Sequence, residues 1–136
     1  MIRSPNHILV INSSPKELEK VEQFVKEIFD KHQIPKGCFN NVLLCISEAV
    51  QNSIVHGNKK NVSKKIEVHV NCKDKSLDIT VTDEGDGFNV NSIPDPTHGK
   101  NIRKESGRGI HIIKSISQTI NFNEKGNSLQ FQINCT

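Results

Sequence analysis

Three short stretches of this 136-residue chain carry side chains and glycines that could do chemistry. In the first, Glu48, Asn52 and His56 recur every four residues, so on a helix they stack along one side. A carboxylate and an amide then share one line of sight at the border of the apolar stripe; the plain alternative is a solvated helix face with an incidental i,i+4 pair. The second, Thr82-Asp83-Glu84-Gly85-Asp86-Gly87-Phe88, closes a stretch that alternates like a strand. Parity puts Leu77, Ile79, Val81 and Asp83 on one face, which aims a carboxylate into an apolar layer. A charge buried there is costly unless it accepts hydrogen bonds, so a ligand donor such as an exocyclic amine would fit. Gly85 and Gly87 allow close approach, although an Asp- and Gly-rich turn is the plain alternative. In the third, Ser106-Gly107-Arg108-Gly109-Ile110, glycines lead into a helix. Free N–H groups at a helix start, on a backbone without side chains to block approach, form an anion site suited to phosphate. Glycines also merely end loops, and Arg108 reads as a phosphate contact, a partner contact or a solvated side chain.

The elements that must position these groups follow from periodicity. His7 to Asn12 reads as a strand, and Ser14, Pro15 and Glu17 supply an N-cap, a first-turn proline and a capping box. Leu18, Val21, Val25, Ile28 and Phe29 recur at helical spacing to about His32. A second helix, Lys36 to His56, gathers Phe39, Val42, Leu43, Ile46, Ala49, Val50, Ser53 and Ile54 on one side and stops at Gly57. Ile66-Val68-Val70 and Leu77-Ile79-Val81 alternate about Lys73-Asp74-Lys75 as a hairpin. Phe88 to Ser106 has two prolines, a glycine and little periodicity, so it reads as a long loop of functional type. A short helix is expected after Gly109 through Ile110, Ile113 and Ile116, then a last hairpin, Thr119 to Asn123 and Ser128 to Asn134. Elements in this order make an α+β two-layer sandwich, a mainly antiparallel mixed sheet with three helices on one face.

Length suits one domain, 1–136, with one core. Lys plus Arg number 18 against 15 Asp plus Glu, and this mild excess, without a basic stripe, argues against direct nucleic-acid binding. No apolar run approaches the ~20 residues of a membrane span, and the first residues lack the apolar stretch of a signal peptide, so a cytoplasmic location is expected. Cys38, Cys45, Cys72 and Cys135 form no CxxC pair and no zinc spacing, so reduced structural thiols are expected. Cys45 in an apolar helix pattern reads as a small core residue rather than a nucleophile.

Order and spacing carry more than any one stretch. The segments Ser47 to Gly57, Asp83 to Gly87 and Ser106 to Gly109 resemble, in sequence order, the N, G1 and G2 boxes of the gyrase, histidine-kinase and MutL ATPase superfamily, whose domain has the Bergerat ATP-binding fold. The wording SEAVxNxxxHG, DEGxGF and SGRGI is similar to the bacterial anti-sigma factor serine kinases, as is Asp95-Pro96-Thr97. This resemblance covers nearly the whole chain. It implies that ATP binds with Mg²⁺ ligated by Asn52, and that Glu48 is the general base toward a serine hydroxyl. It further implies that Asp83 accepts from the adenine amino group beside Gly85 and Gly87, that Gly107, Arg108 and Gly109 lie at the phosphates, and that Phe88 to Ser106 is an ATP lid. The implied partners are an anti-anti-sigma-like protein substrate, a sigma factor and a second copy of the chain. Two readings stand beside a serine kinase. One is a binding module that ATP merely gates, against which Glu48 speaks. The other is a histidine-kinase catalytic fragment, for which room for a phospho-acceptor hairpin ahead of the ATP domain is lacking.

Overall fold

The computed structural model describes residues 6–58, 61–85 and 104–135, with side chains left aside for Asn6 and residues 104–108. Five strands, β1 (Asn6–Asn12), β2 (Lys65–Lys73), β3 (Ser76–Asp83), β4 (Thr119–Phe122) and β5 (Ser128–Asn134), form one sheet in the order β1-β2-β3-β5-β4. Every described pairing is antiparallel. Three helices, α1 (Leu18–His32), α2 (Phe39–Asn52) and α3 (Lys104–Ile116), complete the α+β architecture read from the sequence. No helix among the described residues is long and apolar enough to cross a membrane.

Register explains the core. Val68, Val81 and Leu129 lie in one cross-strand row, Val70, Ile79 and Phe131 in the next, and Cys72, Leu77 and Ile133 in a third. All nine are buried, while the intervening positions, such as Glu67, Thr82 and Ser128, fall on the other face. Val21, Val25 and Ile28 of α1, Val42, Ile46 and Val50 of α2, and Ile113 of α3 join the same cluster. Period 2 in the strands and 3.6 in the helices thus meet in one apolar layer. The row beyond Val68–Val81 pairs Ile66 with Asp83, so a carboxylate stands where the pattern would place a hydrophobe.

Local signals hold with adjustments. Ser14 accepts from the Lys16 N–H and Pro15 opens the turn, but this first turn is 3-10 and α1 proper begins at Leu18. The Glu17 carboxylate reaches back to the Asn12 N–H, not to the cap residue, so the capping box is displaced by two residues. Gln33, at φ 52°, ends α1 in the left-handed conformation more often given to glycine. Asp74 and Lys75, both at positive φ, make the two-residue turn of the β2–β3 hairpin, as the twist of paired strands favours.

Two expectations are corrected. Cys38 and Cys135, 97 residues apart, form a disulfide with Cα atoms 5.7 Å apart; only Cys45 and Cys72 are free thiols. Spacing along the chain carries no trace of this pairing, because strand order brings the end of β5 beside the start of α2. Second, α3 begins at Lys104 rather than after Gly109. Two glycines, each costing about 1 kcal/mol in a helix interior, make this stretch read as loop. The helix persists because Gly109 and Ile110 are buried and Ile113 is in the core.

Candidate functional site

Asp83 is only 6% exposed at the end of β3. Burial pushes its carboxyl above the ordinary value, while hydrogen bonds from the Gly85 N–H and the Ser53 side chain pull it back. Its Oδ1 accepts the Gly85 N–H at 2.8 Å. The backbone is held as well: the Asp83 N–H donates to the Asn127 carbonyl at 2.9 Å, and the Asn127 side-chain amide donates to the Asp83 carbonyl at 3.0 Å. A carboxylate with spare lone pairs in an apolar cleft selects a donor.

Two glycines let the surrounding backbone close on that carboxylate. A Cβ on Gly57 would stand 2.7 Å from Asp83 Oδ1 and closer still to Oδ2, and one on Gly85 would run into the Gly57 carbonyl. Gly57 reaches this place through a π turn, Ser53–Gly57, that continues α2; turns of this kind recur at functional sites. The wider turn takes His56 off the straight i, i+4 line expected with Glu48 and Asn52. Ala49, Asn52, Ser53, Val81 and Asp83, with the 126–129 segment that leads into β5, line a narrow cleft that opens to solvent.

Asn52 joins this cleft to a second group. Glu48 and Asn52 are half-buried on α2, and α3 crosses α2 at the buried Gly109. A Cβ on Gly109 would lie 2.8 Å from Glu48 Oε2 and 3.8 Å from Asn52 Nδ2. The fold therefore brings Glu48, Asn52 and Gly109 together, a carboxylate and an amide next to a helix crossing, with Asn52 also lining the Asp83 cleft. Because α3 starts at Lys104, Gly109 sits in its second turn, where the N–H belongs to the helical ladder; free amides belong to the first turn. The contribution of Gly109 is space rather than an exposed donor. Cys45 lies under this group, and burial, then the Glu48 charge, pushes its thiol up to about 12, which leaves no thiolate at neutral pH.

The remaining expected residues divide. The backbone of Gly107 and Arg108 lies in α3. Gly87, and the expected lid from Phe88 as far as Arg103, lie outside the described residues; Lys104 to Ser106, its last three, are the first turn of α3. Among the described residues no three His, Cys, Asp or Glu side chains gather as a metal cluster. The hard oxygen of one amide is the donor on offer for a cation that keeps most of its ligands as water or phosphate, as Mg²⁺ does. Sequence reading passed over Ser53, Gly57, Asn58 and Asn127 as site residues. Ser53 and Gly57 fall within the first box, without a role of their own there, and Gly57-Asn58 directly after the polar helix reads as a helix stop.

Residues 11–133 match the family described as the histidine kinase-like ATPase domain. Among curated proteins the chain is 34% identical over 109 residues to the sensor protein VraS of Staphylococcus aureus, across 77% of this chain and 29% of that protein. It is 33% identical over 89 residues to the anti-sigma F factor of Oceanobacillus iheyensis, across 62% of this chain and 61% of that one. The chain thus spans under a third of the sensor protein's length and about three fifths of the anti-sigma factor's. Among solved structures, the RsbU and RsbW domains of a Mycobacterium tuberculosis protein superpose with a TM-score of 0.66 at 14% identity, over 96% of this chain and 32% of that one. A histidine kinase domain from Erythrobacter litoralis gives 0.55 at 16%, over 87% and 60%; both likenesses bear on the fold. With a family match across nearly all its length, the chain belongs to the histidine kinase-like ATPase domain family, a group of ATP-binding domains, and has an anti-sigma factor among its relatives.

Proposed function

We propose that the protein is an ATP-dependent serine kinase of a partner-switching system, which phosphorylates an anti-anti-sigma-like antagonist and sequesters a sigma factor. The observation that carries this reading is Glu48 Oε2 beside the Gly109 crossing, one helical turn from Asn52 and next to the cleft of Asp83. A module that only bound nucleotide would need no carboxylate there.

The roles proposed are those that the resemblance implies. Asp83 accepts from the adenine 6-amino group, with Gly85 and Gly87 shaping the pocket. The first-turn amides of α3 would cradle the phosphates, with room left by Gly107 and Gly109, and Arg108 belongs to the same G2 box. Asn52 ligates Mg²⁺, which when bound neutralises charge on the phosphate oxygens. Glu48 takes the proton from the serine hydroxyl as its oxygen bonds to the γ-phosphorus; the bond from phosphorus to the β–γ bridging oxygen breaks and ADP leaves with that electron pair. The same proposal includes a cytoplasmic protein and a homodimer. Ile8 at 52% and Val10 at 53% exposure on the edge strand β1 support the latter.

The 34% identity to a sensor protein favours a second reading, a histidine-kinase catalytic domain. One experiment separates the two. The protein is incubated with γ-labelled ATP, Mg²⁺ and candidate antagonist proteins, and the labelled acceptor is treated with acid. Label that survives acid and is removed by alkaline elimination lies on serine and supports the first reading. Acid-labile label lies on histidine and supports the second, and ATP binding without transfer to any acceptor leaves a nucleotide-gated binding module.

A further inference from the structure

Asn58 follows the π turn directly and is 1% exposed, although it is an amide. Its side chain joins three segments distant in sequence. Nδ2 donates to Ser13 Oγ, just after β1, and to the Lys65 carbonyl at the start of β2, at 3.1 Å. Oδ1 accepts the Glu84 N–H, just after β3, at 3.0 Å. The orientation of the amide is determined by its neighbours, since the Glu84 N–H can only donate and the Lys65 carbonyl can only accept. Ser13 is buried too, at 1%, so the cluster is a satisfied polar network inside the protein, the kind that holds one geometry.

That geometry bears on Asp83 from both sides. Gly57, the residue before Asn58, packs against the Asp83 carboxylate, and Gly85 packs on the Gly57 carbonyl. Glu84, between Asp83 and Gly85, is gripped by Asn58 at its N–H, and its carboxylate accepts the Lys65 N–H. The Gly85 N–H in turn occupies Asp83 Oδ1. Asn58 is therefore the bracket that fixes how the 57–58 segment meets the 83–85 segment, and hence which way the free lone pairs of Asp83 point.

We infer that Asn58 is a positioning residue for nucleobase selection: through Glu84 and Gly57 it aims the Asp83 carboxylate at an exocyclic amino donor, so that a base with an amino group at that position is held and one with a carbonyl is refused. This rests on the reading of Asp83 as the adenine acceptor. Base choice, rather than phosphate or metal binding, is what it controls.

The test compares binding of ADP and IDP, each with Mg²⁺, to the full chain by calorimetry. IDP carries a carbonyl where ADP carries the amino group. The parent should prefer ADP by about tenfold or more, the worth of a charged hydrogen bond. Asn58→Ala should cut that preference to about threefold or less while IDP affinity changes less than threefold. Asn58→Ser removes the same acceptor with a smaller cavity, and serves if the alanine variant does not fold. Ser13→Ala is the control: it takes away one partner of Asn58 and lowers the melting temperature, but leaves the bond to Glu84, so its ADP preference should match the parent's. A folded Asn58 variant that weakens ADP and IDP equally would overturn the inference and leave the Asp83 assignment standing. A parent that does not discriminate between the two would overturn both.

Discussion

The two halves of the site are built differently. Around Asp83, backbone and side-chain hydrogen bonds from Gly85, Asn127 and Ser53, with Asn58 on the neighbouring Glu84, hold one buried carboxylate before any ligand arrives. At Glu48 and Asn52, half-buried side chains meet a neighbouring helix where that helix has no Cβ. The first half is a preformed socket whose rigidity suits selection; the second is a helix crossing whose groups keep reach toward a reacting atom. Changes at the socket should therefore alter affinity and base choice, whereas changes at the crossing should alter rate.

The largest effect expected is at the crossing. Glu48→Gln keeps shape but removes the basic carboxylate, so single-turnover transfer to a cognate acceptor should fall about 10²–10⁴-fold with nucleotide affinity within a few-fold. Equal losses of rate and affinity would erase the distinction between the halves. Gly109→Ala should follow. The added methyl meets the mobile end of Glu48 at 2.8 Å, so the carboxylate is displaced while the fold survives. Transfer should drop roughly tenfold or more with little change in melting temperature, as a misplaced catalytic group predicts. An unchanged rate would mean that the Glu48 position has no bearing on chemistry.

At the socket, Asp83→Asn should weaken ADP about tenfold or more in calorimetry. It should also raise the stability of the nucleotide-free protein. The carboxyl is raised above its ordinary 3.8, chiefly by burial. The native state therefore favours the protonated form, and that stability is present below about pH 3.8 and lost as pH rises through the folded value. The variant carries no such loss, so its melting temperature should exceed the parent's at pH 7, with the gap closing as pH falls toward 3.8. A variant less stable than the parent at pH 7 would show that hydrogen bonds, not desolvation, dominate there.

The smallest functional effect is expected at the disulfide. Cys38–Cys135 lies where Cys135 meets Lys75, at the opposite end of β3 from Asp83, roughly 23 Å away at strand rise. Reduction, or Cys38→Ser, should lower unfolding free energy by about 2–4 kcal/mol and leave ADP affinity within twofold. A larger change in affinity would mean that the start of α2 transmits to Asn52.

How much was legible in the chain differs between the halves in the same way. Glu48 and Asn52 share a helix face by spacing alone, and the side of β3 that carries Asp83 follows from parity with Leu77, Ile79 and Val81. These are local consequences of 3.6- and 2-residue periods. The start of α3 is not legible in the sequence because helix propensity at two glycines is local, whereas the burial that sustains the helix against α2 is not.

From the sequence alone come the element order, the α+β class, the buried faces of the helices and of the β2–β3 hairpin, and the three polar stretches that could form a site, because each depends on residues within a turn or two of one another. Only the tertiary structure decided that Gly57 would seat the Asp83 carboxylate, that Asn58 would reach Ser13, Lys65 and Glu84, that Gly109 would face Glu48, and that Cys38 would meet Cys135. Most of these pairs join residues 26 to 97 positions apart. Their meeting depends on strand order and on how closely two backbones can approach, neither of which leaves a periodic mark in the chain.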